Sequence, residues 1–141
     1  MNTLIVLGPL LAMALLTFVL MVGMVLTRTR AVKDKKTDPK DLLVRGGKSP
    51  WPPQAAQFGD AYQNSLELPV LFYALSILTL LTGYANTTFV VLSWLFVLCR
   101  AVQAYIHVTS NTRKYRSYAF RAGALVLFAI WIVLTYRLIV S

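Results

Sequence analysis

The chain has 141 residues, of which 57% are apolar, and its mean hydropathy is +0.64. The formal net charge is +9 at pH 7, because 14 lysines and arginines outnumber five acidic residues. So much apolar material exceeds what a soluble domain of this size needs and argues against that class. Cys99 is the single cysteine, which excludes a disulfide within the chain, and we expect it to be a small buried apolar side chain.

Four apolar stretches follow one another along the chain, each about 20 residues long. A helix rising ~1.5 Å per residue needs that length to cross a ~30 Å hydrocarbon layer, whereas open strands would leave unpaired edges in lipid. We therefore predict an all-α membrane protein, a four-transmembrane-helix bundle that forms a single domain over residues 1–141. The predicted helices span residues 4–26, 62–83, 88–108 and 119–140, and residues 27–61 form a basic loop.

Basic residues concentrate in two connecting segments, whereas the N-terminal tail and the turn 83–87 carry none. Because positive loops stay in the cytoplasm, we expect a multi-pass membrane protein with both termini facing outward. Membrane lipids are the expected partners. We expect no nucleic acid, because no aromatic residues alternate with the basic ones. The basic residues are Arg28, Arg30, Lys33, Lys35, Lys36, Lys40, Arg45 and Lys48 in the first segment, and Arg113, Lys114 and Arg116 in the second.

Prolines punctuate the first loop and the second helix. Pro50, Pro52 and Pro53 cannot continue a helix, and Trp51 between them is suited to the headgroup level. We expect part of this loop to cover the helix ends. Pro69 removes a backbone hydrogen bond within the second helix and should bend it.

Polar residues line up on the predicted helices at their basic ends. On the second helix, Asp60, Asn64 and Glu67 share one face, because they are separated by four and three residues. The third helix runs in the opposite direction and carries a second polar stripe, and the fourth helix carries Arg121 in its first turn. Lone charges at this depth cost about 2.5–3.5 kcal/mol each, so we expect Glu67 to pair with Arg100. The stripe on the third helix consists of Arg100, Gln103, His107 and Asn111.

Two interpretations of this polar cluster stay open. In the first, Glu67 and Arg100 form an interhelical lock, with Asn64 and Gln103 as hydrogen-bonding groups. In the second, the cluster is an anion-binding cavity that faces the cytoplasm, because one acid does not balance so many cations. The predicted lining of that cavity is Arg100, His107 and Arg121, with Arg113 or Arg116. We expect no metal, because the single histidine has no cysteine or carboxylate at ligand spacing.

Two motifs resemble the MAPEG family, the membrane-associated proteins in eicosanoid and glutathione metabolism. The first is Asn64-Ser-Leu-Glu67-Leu-Pro69 followed by VLFYAL, and the second is the Arg100 stripe with its steps of three, four and four. The resemblance covers helices two to four and agrees with helix one in position and length. It is to a bacterial branch, which implies a location in the bacterial inner membrane. It implies a bundle that assembles as a homotrimer, with glutathione between neighbouring subunits near the cytoplasmic side.

The resemblance also implies roles for single residues. Asn64 and Glu67 match residues that contact glutathione, and Arg100 matches a buried arginine of helix three. With Gln103 and Arg121 they form the predicted cofactor-binding set. His107 can act as an acid or a base, because its charge changes near neutral pH. The predicted catalytic residues, one of whose arginines would hold the glutathione sulfur as a thiolate, are Arg113, Arg116 and His107.

Three positions depart from the family pattern. Asp60 stands where conjugating members carry an arginine, and it would repel the carboxylates of glutathione. Gln103 and His107 stand where well-studied members carry tyrosines. The resemblance implies a glutathione- or thiol-dependent transferase or peroxidase that acts on a lipophilic small molecule. The departures favour a second hypothesis, a non-catalytic membrane protein that binds a lipid or a partner on the family scaffold.

Overall fold

A computed structural model describes residues 3–43 and 48–140. Within those ranges the chain is helical apart from short connections, and four segments are long and apolar enough to cross a membrane. This confirms the predicted all-α, four-helix membrane fold. Arg45, one of the predicted basic loop residues, lies outside the described ranges. The helices are α1 (Thr3–Lys33), α2 (Pro53–Ser65), α3 (Leu68–Leu81), α4 (Thr87–Val108) and α5 (Arg113–Val140), and a 3₁₀ turn covers Pro39–Leu43.

The four spans alternate in direction. Short turns join α3 to α4 and α4 to α5, and the end of α1 packs against the start of α2, where Arg28 lies against Gly59. The end of α1, the start of α2, the end of α4 and the start of α5 therefore lie together. We call this the basic end of the bundle, since residues 28–36 and 113–116 carry their cations there. The other end, at Thr3, Leu81, Thr87 and Val140, is the opposite end.

Three helix bounds differ from the prediction. α1 continues to Lys33 rather than residue 26, α2 begins at Pro53 rather than residue 62, and α5 begins at Arg113 rather than residue 119. The predicted loop 27–61 is therefore shorter. Hydropathy falls where the lipid ends, but a helix can continue into the headgroups and water. Basic residues in the last turn of α1 complement its C-terminal dipole, and a proline in the first turn of α2 suits a helix start.

The second span is broken rather than bent. α2 ends at Ser65 and α3 begins at Leu68. The two amides between them bond back to carbonyls three residues earlier, at 3.0 and 3.3 Å. Pro69 lies in the first turn of α3, where its fixed φ fits and its missing N–H would have no helical partner. The break divides the polar stripe that the sequence predicted along one helix.

An apolar core holds the spans together towards the opposite end. The rings of Phe72 and Phe96 are fully buried and stack with their centroids 4.7 Å apart. Met13 of α1 and Ile130 of α5 complete this core, with 0% and 2% of their surface exposed. Cys99 is only half-buried rather than a core residue. Large apolar side chains elsewhere point outward, as they do on helices that face lipid.

Candidate functional site

Arg100 is the centre of the polar cluster at the basic end, and only 4% of its surface is exposed. Its Nη2 donates to the backbone carbonyl of Asn64 at 2.7 Å and to the Asn64 Oδ1 at 3.1 Å, while its Nη1 donates to the Oε1 of Gln103. The Asn64 carbonyl belongs to the last turn of α2, where the dipole is negative, and it also accepts the backbone N–H of Glu67 at 3.3 Å. Arg100, which belongs to α4, therefore caps the C-terminal end of α2.

The predicted pair between Glu67 and Arg100 does not form. The guanidinium of Arg100 uses its donors on Asn64 and Gln103, and the side chain of Glu67 is exposed. The physical reason is the helix break, which gives Glu67 a non-helical backbone (φ −89°, ψ −93°) and turns it out of the stripe. The hydrogen-bond partners of Arg100 are therefore the C-terminal end of α2 and the amide of Gln103, while Glu67 stays within electrostatic reach of the guanidinium without forming a salt bridge.

A small, partly enclosed cavity, which we call the closed cavity to distinguish it from a wider neighbour, lies beside Arg100 with a volume of about 10 Å³, which is room for about one water molecule. His107 lines it and is 4% exposed. The Nε of Arg100 is buried nearby and has no hydrogen-bond partner among the described residues. Asp60, which is exposed on α2, lies within electrostatic reach of His107. The cavity lining also includes Asn64 and Gln103.

A larger, open cavity of about 290 Å³ lies next to the closed one, and we call it the basic cavity. Arg116 is half-buried in its wall and donates from Nη1 to the Oδ1 of Asn111 at 2.6 Å. Asn111 adopts a left-handed backbone (φ 48°), which asparagine tolerates better than most residues, and this turn joins α4 to α5. Arg116 is thus held in one orientation. The lining consists of Asn64, Gln103, Arg113, Arg116, Ser117 and Phe120.

The same face of α5 continues deeper into the membrane. From Arg116 and Phe120 the lining advances in steps of three and four residues to Ala124, Leu127 and Trp131, so these side chains share one stripe. Here α5 and α3 border a second opening of about 380 Å³, which we call the apolar groove. Cationic and amide side chains therefore surround one end of this stripe, and apolar side chains surround the rest of it. The apolar groove is lined by Leu68, Leu71, Leu75, Ala124, Leu127, Phe128 and Trp131.

The structure brings most of the predicted site residues together, but not all. Asn64 and Gln103 line both cavities, Arg100 and His107 line the closed one, and Arg113 and Arg116 line the basic cavity. The remaining two predicted residues, Glu67 and Arg121, are exposed and line neither cavity.

The position of Arg121 follows from the early start of α5. The residue lies in the third turn of the helix rather than the predicted first turn. It is also two residues before Gly123, which faces α4, and two residues turn a helix by ~200°. Arg121 therefore points away from α4 and its polar stripe.

Sequence reasoning missed Ser117 and Phe120, which line the basic cavity. Ser117 lies within the segment 109–118, which was predicted to be a loop, and Phe120 lies in the first turn of the predicted helix 119–140. Their spacing from Arg113 and Arg116 reveals a shared face only once α5 is known to begin at Arg113.

These features define the class: a multi-pass α-helical membrane protein with a cationic site at one end of its bundle. A comparison with protein-family models matches the MAPEG family over residues 6–136, nearly the whole chain. The chain therefore belongs to the MAPEG family, as its two motifs predicted. Searches of curated proteins and of solved structures return no match. Membership supports a membrane protein of eicosanoid and glutathione metabolism.

Proposed function

We propose that the chain is a glutathione- or thiol-dependent transferase or peroxidase for lipophilic substrates that enter from the bilayer. The observation that carries this proposal is the stripe on α5, which joins the basic cavity to the apolar groove. The basic cavity suits an anionic thiol, and the apolar groove suits a hydrocarbon chain. Holding both reactants on one helix face converts a bimolecular encounter into a positioned reaction.

Arg116 is the best candidate for the arginine that activates the thiol. It is half-buried and fixed by Asn111, whereas Arg113 is exposed at the cavity rim. A guanidinium beside a thiol stabilises the thiolate, which is the nucleophilic form. In the transferase reaction the thiolate forms a carbon–sulfur bond with an electrophilic carbon, and the leaving group, such as a halide, departs with the electron pair of the bond that breaks. In the peroxidase reaction the thiolate attacks the terminal oxygen of a hydroperoxide and the O–O bond breaks. The sulfur is oxidised to a sulfenic acid, and the alkoxide released takes a proton to become the alcohol. His107 keeps its proposed acid–base role, because its cavity adjoins the basic cavity. Gln103 lines both the closed cavity, which contains His107, and the basic cavity, which contains Arg116.

Glu67 supports the proposed homotrimer. The 14 residues of α3 separate it from the opposite end by about 21 Å, so it lies inside a ~30 Å hydrocarbon layer. Its side chain is exposed on the single chain and does not cap α3. A charge at such depth costs up to about 2.5–3.5 kcal/mol when it has no direct partner, and Glu67 has no salt bridge among the described residues, so a neighbouring subunit or bound glutathione would relieve that cost. Cross-linking in membranes should trap trimers, and a purely monomeric product would contradict this part of the proposal.

The proposed orientation places the basic end in the cytoplasm of a bacterial cell, with both termini outward. The support is the concentration of lysine and arginine at that end of the described chain. A reporter enzyme that works only outside the cytoplasm should be active when it is fused to the C-terminus. A fusion that is well expressed but inactive would reverse the proposed orientation.

The first experiment is calorimetry of glutathione binding to the detergent-purified chain. We expect a Kd of about 1 mM or tighter, weakened at least ~10-fold in Arg116→Ala because a charge-assisted contact is lost. Lys114→Ala is the matched control, since Lys114 is an exposed cation in the same turn and lines neither cavity. Turnover of an aryl halide and of a lipid hydroperoxide should follow the same order. Equal behaviour of the two variants would overturn the role of Arg116.

A second candidate function, a non-catalytic protein that binds a lipid or a partner, is favoured by Asp60. Its carboxylate is exposed one turn before Asn64 and would repel the carboxylates of glutathione. If the wild type binds no glutathione and Asp60→Arg does, the cavity is a family site that has lost its cofactor. If both bind equally, Asp60 has no such effect and this alternative loses its support.

A further inference from the structure

A second cationic cavity lies at the basic end, where α1 leaves the apolar layer. It is a wide-open depression of about 420 Å³ between the last two turns of α1 and the residue Trp51, which precedes α2. None of its lining residues belongs to the closed cavity, the basic cavity or the apolar groove. It is therefore a separate site. The lining residues are Arg28, Thr29, Val32, Lys33 and Trp51.

Arg28 is held in place by two other parts of the chain. Its guanidinium carbon lies 4.9 Å from the centroid of the Trp51 ring, a cation–π contact. On the other side its Nη2 lies against Gly59 of α2, where an added Cβ would be only 2.6 Å away. Gly59 therefore makes room for the guanidinium, and Trp51 covers it. A preset orientation of this kind reduces the entropy lost when a ligand binds.

The donors of Arg28 are not all used within the chain. Its Nε is buried and has no hydrogen-bond partner among the described residues. A second cation, Lys33, lines the same cavity, and none of its described lining residues is acidic. The nearest acid in sequence, Asp34, is exposed and does not line it. Two cations without an acid among the described lining residues make the cavity suited to an anion, and the unpartnered Nε shows that the chain itself does not satisfy Arg28.

The depth of the cavity narrows the choice of anion. α1 is apolar up to Leu26, so Arg28 stands at the boundary between hydrocarbon and headgroups. Trp51 is the ring type enriched at that level, and Val32 adds an apolar wall. The fork of an arginine matches the oxygens of a phosphate, and lysine adds a point charge.

We propose that this cavity binds the phosphate of an anionic phospholipid headgroup. Arg28 is the forked donor, Lys33 the second cation, and Trp51 the wall that fixes Arg28. The chain thus has one defined lipid site in addition to the diffuse attraction of its other cations.

The test is native mass spectrometry of the full chain in detergent, titrated with phosphatidylglycerol, phosphatidylcholine or inorganic phosphate. We expect one phosphatidylglycerol per chain, bound about 10-fold more weakly by Arg28→Gln because a charge-assisted fork is lost. Arg30→Gln is the control, since it removes the same charge from an exposed position of α1 that does not line the cavity. It should bind like the wild type. Equal loss in both variants would show diffuse attraction only and overturn the site.

Two further variants separate the geometry from the charge. Gly59→Ala keeps every cation but should displace the guanidinium, and Trp51→Ala removes its cover, so both should weaken phosphatidylglycerol binding. A melting temperature unchanged from the wild type will show that a variant is folded, and Trp51→Phe, which keeps a ring, should bind nearly as well. Phosphatidylcholine should bind more weakly, because its quaternary ammonium is repelled. If inorganic phosphate binds with the same variant pattern and no lipid is retained, the lipid headgroup is the wrong source of the phosphate.

Discussion

The two halves of the bundle use the same helices in different ways. Towards the opposite end, α3, α4 and α5 pack through rings and aliphatic groups around Phe72 and Phe96. At the basic end, the contact between α2 and α4 depends on Arg100 and its amide partners, with cavities on either side. Many small, non-directional contacts stabilise the first half, whereas a few directional bonds stabilise the second. Damage to the core should therefore reduce stability alone, and damage at the basic end should reduce stability and ligand affinity together.

The largest loss of stability is expected for Phe72→Ala. The ring is fully buried and stacked on Phe96, and removing such a ring costs about 3–5 kcal/mol through lost contacts and the cavity left behind. Unfolding in mixed detergent, followed by tryptophan fluorescence, measures the free energy. Phe18→Ala is the control, because Phe18 is 60% exposed on α1 and should change little. Glutathione affinity measured under folded conditions should stay within about twofold, and a larger change would mean that the halves are coupled.

Arg100→Ala should come next, at about 2–3 kcal/mol. It leaves the end of α2 and the amide of Gln103 without their donor, and hydrogen bonds to charged groups are the stronger ones. Unlike Phe72→Ala, this variant should also lose measurable glutathione binding, because Asn64 is released. Arg30→Ala, at an exposed position, controls for the loss of charge. A destabilised Arg100→Ala that still binds glutathione normally would limit Arg100 to a structural role.

The sequence predicted the spans well, because apolar length is set by the bilayer and does not depend on tertiary contacts. It also predicted that Arg100, Gln103 and His107 share one face, since helical spacing alone places them there. The fourth member of the predicted stripe, Asn111, lies beyond the end of α4 at Val108, in the turn before α5. It failed for Glu67, because charge balance was used to choose a partner and the break at Pro69 redirected the chain. A backbone carbonyl can satisfy an arginine as a carboxylate does, and carbonyls carry no sequence signature.

The site at α5 was only partly predictable for a related reason. Arg113 and Arg116 were recognised by their charge, but their neighbours Ser117 and Phe120 have no feature that distinguishes them from loop residues. The missing information was the start of α5, which lies outside the apolar stretch that hydropathy detects. Interfacial helix turns of this kind carry site residues in this chain at both α1 and α5.

A smaller effect is expected for Gln103, which contacts Arg100 and lines both cavities. Gln103→Leu removes one acceptor from a charged donor and should cost about 1.5 kcal/mol. Gln103→Glu keeps the acceptor and should be more stable than Gln103→Leu, yet its added negative charge should weaken glutathione binding more. Val102→Ala, on the exposed face of α4, is the control for both. If the two variants rank in the same order for stability and affinity, the cavity does not discriminate by charge.

The smallest effect tests the opposite end. Asn86 caps α4 there, and its Oδ1 accepts from the backbone N–H of Phe89 at 2.9 Å. Asn86→Ala should cost about 1 kcal/mol, the usual value for a lost N-cap, and Asn86→Asp should restore most of it, because aspartate also caps well. Both unfolding free energies come from the same detergent titration. Because α4 spans Thr87–Val108, this cap and the turn at Asn111 lie at opposite ends of the helix, so neither variant should alter glutathione or phospholipid binding. A change in either affinity as large as that of Gln103→Leu would mean that α4 transmits strain along its length, and the two halves would have to be treated as one cooperative unit.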